Sequence, residues 1–172
     1  MAIVTGAARG IGRGIVAAFT EEGAAVVVGD RDRSGAEEVA RRLRETGTRA
    51  LAVEVDVTDP ASVDAMVDET LAAFSTVHVL VNNAGIDSTS PLVDMPLKQW
   101  QELIDTNLTS VFLCTKAVLP TMIAQRFGRI INIGSQLALK GTHLMAHYCA
   151  AKAGVHGPTR ALAYEVAPYG SP

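Results

Sequence analysis

The sequence predicts a three-layer α/β domain with an open, doubly wound parallel sheet between two layers of helices. Three observations carry this reading. Strand-like and helix-like segments alternate five times along the 172 residues, and such alternation builds a parallel sheet because each strand is reached through a helical crossover. The strand segments are short and apolar without polar interruption, as in Val26-Val27-Val28, which suits strands covered on both faces. No repeat, low-complexity stretch or linker breaks the alternation, and the length is that of one domain. Right-handed crossovers then place any ligand at the carboxyl ends of the strands.

The elements follow in order. Ala2-Ile3-Val4 is the first strand and runs straight into Gly6. Gly10 to Glu22 is helical, with Ile11, Ile15, Ala18 and Phe19 on one face, and Gly23 stops it. Ala25 to Gly29 is a buried strand. Ser34 to Thr46, rich in Glu, Arg and Ala, is an exposed helix capped by Gly47. Ala50 to Val55 is the third strand. Asp59-Pro60 has the form of an N-cap followed by proline at the first helical position, and that helix reaches Phe74. Val77 to Val81 is the fourth strand, and Ile86 to Asp94 a polar loop. A long helix spans Pro96 to Gln125, with Pro120 expected to kink or divide it. Arg129 to Ile133 is the fifth strand. The last helix, His147 to Val166, holds Pro158, where a local bend is expected.

Composition excludes several classes. Fifteen Lys+Arg against eighteen Asp+Glu leaves a net charge of −3, unlike a polyanion binder, so no nucleic-acid partner is expected. Apolar residues are 48% and charged residues 19%, enough for a core and too few charges for disorder. No apolar run approaches the ~20 residues of a membrane span, and no basic-then-apolar leader opens the chain. Cys114 and Cys149 form no CxxC pair, so neither a disulfide framework nor a zinc site is expected. These features point to a cytoplasmic protein without metal.

The candidate binding residues sit at strand ends. Thr5-Gly6-Ala7-Ala8-Arg9-Gly10-Ile11-Gly12 joins the first strand to the first helix. Glycines there let the backbone turn tightly and approach a pyrophosphate, and the helix N-terminus offers free N–H groups. An ordinary tight turn would use the same residues. Asp30 ends the second strand about 20 residues further on, where a carboxylate can accept from ribose hydroxyls. Asp56 ends the third strand and can reach an adenine. Asn82-Asn83-Ala84-Gly85 ends the fourth, with small residues that let a flat ligand lie against the backbone. Together these form a dinucleotide site along one sheet edge.

The candidate catalytic residues lie further along. Tyr148 and Lys152 are four apart and share a helix face. A free tyrosine, with a pKa of about 10, is a poor base at neutral pH, and a nearby ammonium favours its phenolate. The pair suits proton exchange with an alcohol or carbonyl. A solvated surface pair would have the same spacing. Ser135 follows the fifth strand, and Asn107 lies in an apolar stripe with Leu103, Leu108 and Val111. A buried amide without partners costs ~1–3 kcal/mol, so Asn107 needs a specific partner, to backbone or otherwise.

On these motifs (the Thr-Gly-x3-Gly-Ile-Gly loop, Asp56-Val57, Asn82 to Gly85, Asn107, Ser135 and Tyr148-x3-Lys152) the chain resembles the short-chain dehydrogenase/reductase family, within its branch of 3-oxoacyl-carrier-protein reductases and their relatives. The resemblance runs from Met1 to about Tyr169 and implies a Rossmann-like fold. It implies that Tyr148 is the general acid/base, that Lys152 holds the nicotinamide ribose, that Ser135 orients the substrate oxygen and that Asn107 holds a water of a proton relay. It further implies cofactor binding by Gly6, Arg9, Gly10, Ile11, Gly12, Asp30, Arg31, Asp56, Val57, Asn83, Ala84 and Gly85, with Tyr148 and Lys152. The reaction implied is hydride transfer between a nicotinamide and a secondary alcohol or ketone. The second reading is a nucleotide-binding or interaction module without turnover. Members of the family usually continue through further strands and a substrate-covering segment, which residues 1–172 do not contain.

Asp30 favours NAD, because a 2′-phosphate there would face a like charge; Arg9 and Arg31 leave NADP as the alternative. Substrate choice falls to Asp87–Val93 and Gln136–Met145. The helices 96–125 and 147–166 carry apolar residues on more than one face, such as Leu113 and Leu119, and are expected to form a homodimer or homotetramer interface. His143 and His147 are read as pocket wall, not metal ligands, and Cys149 as a packing residue.

Overall fold

The computed structural model describes residues 1–169. Strands β1 (Ala2–Thr5), β2 (Val26–Asp30), β3 (Ala50–Glu54), β4 (Val79–Asn82) and β5 (Arg129–Asn132) alternate with helices. These are α1 (Gly10–Glu21), α2 (Arg33–Glu45), α3 (Pro60–Phe74), α4 (Leu97–Ile104), α5 (Ser110–Ala124), the short α6 (Leu137–Lys140) and α7 (Ala146–Val166). Every expected strand forms, as does every expected helix except the long one over 96–125, with boundaries within two residues of the sequence reading. The sheet is parallel throughout, in the order β3-β2-β1-β4-β5. The chain winds outward from β1 through β3, then crosses back to β4, so the winding reverses between β1 and β4. At such a reversal two neighbouring loops leave in opposite directions and open a crevice.

Strand alternation divides the core. Ile3, Val27, Val53 and Leu80 point to the face covered by α3 and α5. Val4, Val26, Val28 and Val81 point to the face covered by α1 and α2. Burial on both faces explains the unbroken apolar strands. The caps act as expected: the Asp59 side chain accepts from Ala61 N at 3.1 Å with Pro60 at the first helical position, and Gly47 takes φ +86° after α2.

Four details depart from the sequence reading. The buried residues of α1 are Gly12 and Val16; Ile11 is 69% exposed and Ala18 is exposed. The reason is close approach at Gly12, which turns the helix so that Ile11 faces the crevice. Pro120 neither ends nor divides its helix, and α7 runs through Pro158 without interruption. Both prolines are exposed, so water can meet the carbonyls they leave unpaired. The 96–125 helix is instead broken by a π turn, Asp105–Thr109, between α4 and α5. Finally, Leu113 is only partly buried against the core, and the outward apolar residue on α5 is Phe112, 58% exposed.

The α4–π–α5 stretch, Leu97–Ala124, is long and apolar enough by composition to cross a membrane. It also carries Glu102 and Asp105, and a third of its most apolar window is buried, with Leu103, Cys114, Val118 and Met122 of the stretch in the protein interior. Both cysteines are free. Burial pushes the Cys114 thiol up to about 12, which makes it a packing group.

Candidate functional site

The ends of β1 and β4 are stitched together by one threonine and one asparagine. Thr5 Oγ1 accepts from Asn83 N and Ala84 N, each at 3.1 Å, and donates to Val81 O. Asn83 Nδ2 donates to Thr5 O at 2.8 Å and Gly6 O at 3.0 Å. The glycine loop is packed against this seam. Gly6 has φ +64°, and a Cβ there would lie 2.8 Å from Ala84 Cα. A Cβ on Gly12 would lie 2.2 Å from Gly6 O. The two glycines therefore let the first turn of α1 sit directly on the strand ends, with its free N–H groups at the crevice.

The carboxylates at the strand ends are oriented by backbone. Asp30 Oδ2 accepts from Ala8 N at 2.9 Å, and Oδ1 from Asp32 N at 3.0 Å. Asp30 thus ties β2 to the glycine loop as well as facing the crevice. Asp56 lies two residues beyond β3. Its Oδ1 accepts from Thr58 Oγ1 and Thr58 N, and these bonds, with Arg31 nearby, hold its carboxyl below the usual range.

A cavity of about 700 Å³ occupies the crevice. Its walls bring together Gly6, Arg9, Ile11 and Gly12 from the loop, Asp30 and Arg31 from the end of β2, Asp56 and Val57 after β3, and Asn83 to Gly85 after β4. Gly10 does not line it. Six lining residues were not foreseen: Val55, Thr58 and Ile86, and across the crevice Glu102, Asp105 and Thr106. Thr58 had a signal in the Asp-x-Thr pattern of a side-chain turn. The last three had none, because they reach the cavity only through the packing of α4. Four carboxylates (Asp30, Asp56, Glu102, Asp105) against two guanidiniums (Arg9, Arg31) make the walls acidic by count.

The expected catalytic residues lie outside this cavity wall, on elements packed beside it. Asn107 sits in the π turn and is buried. Its Oδ1 accepts from Ile86 N at 2.8 Å and its Nδ2 donates to Ile86 O at 2.7 Å. The amide need foreseen in the sequence is met by backbone; one N–H and one lone pair remain for a water. Lys152 is buried on α7, and its Nζ donates to Ile133 O at 2.7 Å, just past β5. Burial lowers its pKa from the ordinary lysine value. Tyr148 is half-buried one turn earlier. Ser135 follows β5, and its Oγ accepts from Leu137 N at 3.1 Å at the start of α6. Helix α7 packs on α4 and the π turn, which brings Asn107 and Lys152 to one side of the crevice. His147 is bonded to Ser88, and no group of three metal-ligating side chains occurs among the described residues.

The model of the short chain dehydrogenase family matches residues 1–170. The chain belongs to that family. Among its relatives, a 3-oxoacyl-[acyl-carrier-protein] reductase of Synechocystis sp. is 46% identical over 171 residues, covering 99% of this chain and 69% of the relative. The 3-oxoacyl-[acyl-carrier-protein] reductase of Escherichia coli is 42% identical over 170 residues, covering 99% and 68%. A cis-4-hydroxycyclohexanecarboxylate dehydrogenase of Sinomonas cyclohexanicum is 45% identical over 171 residues, covering 99% and 68%. As a short-chain dehydrogenase, the protein is an NAD(P)-dependent oxidoreductase acting on CH–OH or keto groups.

Proposed function

We propose that the protein uses NAD to interconvert a secondary alcohol and its ketone, with Tyr148 as general acid/base. The observation that supports this best is the glycine cradle at the β1/β4 reversal, where Gly6 and Gly12 let the first turn of α1 and its free N–H groups sit directly on the strand ends, beside a helix that carries Tyr148 and a buried Lys152. The residues fit a dinucleotide: N–H groups of the α1 turn for its phosphates, Asp30 for a ribose, Asp56 at the adenine end. The nicotinamide, when bound, supplies or takes the hydride. The chain's own task is the proton. Tyr148 Oη gives its proton to the ketone oxygen in reduction and takes it back in oxidation. Lys152, fixed by Ile133 O, puts a positive charge one helical turn from the phenolate that forms. Ser135 orients the substrate oxygen, and Asn107 braces the Gly85–Ile86 backbone that floors the site.

NAD is favoured over NADP by the acidic walls and by the posture of Asp30. Both of its oxygens hold backbone N–H groups, so the carboxylate cannot swing away from an added 2′-phosphate. Arg9 and Arg31 would have to be ordered to offset the repulsion, at a cost in side-chain entropy. Asp30→Ala should shift the NADP/NAD ratio of kcat/KM toward NADP by about tenfold, or ~1.4 kcal/mol. Both affinities should also fall, because Ala8 N and Asp32 N lose their acceptor. The ratio is therefore the diagnostic, measured at the reduced-nicotinamide absorbance band; an unchanged ratio would mean that Asp30 does not meet the ribose.

The site lies within a cytoplasmic homodimer or homotetramer in this reading. Phe112 on α5 and Tyr164 on α7 are 58% and 86% exposed, and apolar helix faces of this kind mark contact surfaces. Sedimentation should show a species larger than the 18.1 kDa chain. Phe112→Glu should shift it toward monomer, and a wild type that is monomeric at high concentration would count against the interface.

A further inference from the structure

We infer that His147 is a positioning residue for the reaction, acting through Ser88 to hold the segment after β4 against the start of α7. The inference rests on the proposed role of Tyr148. His147 immediately precedes Tyr148 and is 0% exposed, though a histidine is rarely so deep in a core without a task. Its Nε2 lies 2.8 Å from Ser88 Oγ, and Gln99 Nε2 donates to the same oxygen at 3.1 Å. Its Nδ1 is buried with no partner among the described residues.

These contacts belong to a wider seam. Three alternate residues of the segment are fastened in turn. Ile86 is held through both backbone groups by Asn107. Ser88 is held by His147 and Gln99. Ser90 N donates to Leu144 O at 2.9 Å. These bonds sew the segment to α4, the π turn and the approach to α7. Between the fastened residues, Asp87 and Thr89 are exposed. Ile86 also lines the dinucleotide cavity. The seam thus fixes the distance between the floor of the cofactor site and the first turn of α7, which carries Tyr148.

The chemistry favours a fixed imidazole. An orphaned buried N–H is rarer than an orphaned lone pair, so the proton belongs on Nε2, donating to Ser88 Oγ. That oxygen then accepts two bonds, from His147 and Gln99, which fills its lone pairs. Of the common side chains, glutamine places a donor at the same reach from Cβ, whereas asparagine stops at the depth of Nδ1.

The test compares His147→Leu, His147→Asn, His147→Gln, Ser88→Ala and the His147→Leu/Ser88→Ala double variant with the purified wild type. NADH and ethyl 3-oxobutanoate, with a panel of other ketones, are the probes. A misplacement of about an ångström near the chemistry costs on the order of 10²-fold. His147→Leu, His147→Asn and Ser88→Ala should therefore lower kcat about 10- to 100-fold, while Kd for NADH changes less than about twofold. The double variant should be no worse than the poorer single one, and His147→Gln should recover most of the loss. Amide hydrogen exchange of residues 86–90 should accelerate in every variant except His147→Gln. An unchanged kcat beside an active wild type, additive losses, or unchanged exchange would overturn the inference while leaving the oxidoreductase reading intact. A wild type that turns over no ketone would instead count against that reading, and the exchange comparison would still decide whether His147 holds the segment.

Discussion

Tyr148→Phe should lower turnover by about 10²- to 10⁴-fold while leaving dinucleotide affinity within about twofold. The loss corresponds to ~3–5 kcal/mol of barrier. It follows from the division of the site. The cavity is walled by the loops after β1, β2, β3 and β4, by α4 and by the π turn, and Tyr148 belongs to none of them. Removing its hydroxyl deletes the group that moves the substrate proton and touches nothing that holds the cofactor. The phenyl ring keeps the half-buried packing on α7, and no hydrogen bond of the described protein ends on the hydroxyl, so stability should change by no more than ~0.5 kcal/mol. Ketone-dependent loss of absorbance at the reduced-nicotinamide band gives the rate, and quenching of protein fluorescence by NADH gives the affinity. A variant that keeps most of its turnover would remove Tyr148 from the mechanism. A variant that loses NADH affinity in step with rate would place Tyr148 in cofactor binding instead.

The contrast between what was legible in the sequence and what was not follows the range of the interactions. The strands announced themselves because burial on both faces demands unbroken apolar runs such as Val26-Val27-Val28. The doubly wound class followed from alternation and handedness, whereas the strand order that puts the reversal between β1 and β4 came only from the structure. The cradle was readable because Gly6, Gly12 and Asp30 have local backbone duties that few other residues can perform. The features that were missed depend on distant partners. The π turn brings Asn107 to the backbone of Ile86, 21 residues away, and no spacing in a helical stretch encodes that. Ser88 and His147 are 59 residues apart, so His147 looked like a pocket wall. The face of α1 was misjudged because its closest contact is made by Gly12, a residue that an apolar pattern does not count. Pro120 does not divide its helix and α7 continues through Pro158, because both prolines sit on faces that solvent reaches.

Gly12→Ala and Gly14→Ala, two residues apart on α1, should have effects of opposite sign. A Cβ on Gly12 would stand 2.2 Å from Gly6 O, 2.6 Å from Asn83 Nδ2 and 2.9 Å from Ala7 Cα. Two of these neighbours are backbone atoms of the cradle. The third, Asn83 Nδ2, is the donor that ties β4 to Thr5 O and Gly6 O, so it cannot yield without breaking the seam. The first turn of α1 must therefore lift off the strand ends. That costs on the order of 2–4 kcal/mol, which for a chain of this size lowers Tm by roughly 5–15 °C. The lift also carries the free N–H groups of the turn away from the pyrophosphate position. Dinucleotide affinity should fall at least about 100-fold, since several hydrogen bonds to charged oxygens, each worth ~1.5–3 kcal/mol, weaken together. Gly14 has nothing within 4 Å of its Cβ position and lies on the exposed side of the same helix. Alanine there meets no neighbour and restricts the unfolded chain, so Gly14→Ala should raise stability by about 0.5–1 kcal/mol with affinity unchanged. Thermal melts and NADH titrations of the two variants separate a steric cause from a general dislike of alanine in α1. If Gly12→Ala binds NADH as the wild type does, the turn between β1 and α1 does not hold the phosphates, and the dinucleotide site must be sought elsewhere on the sheet edge.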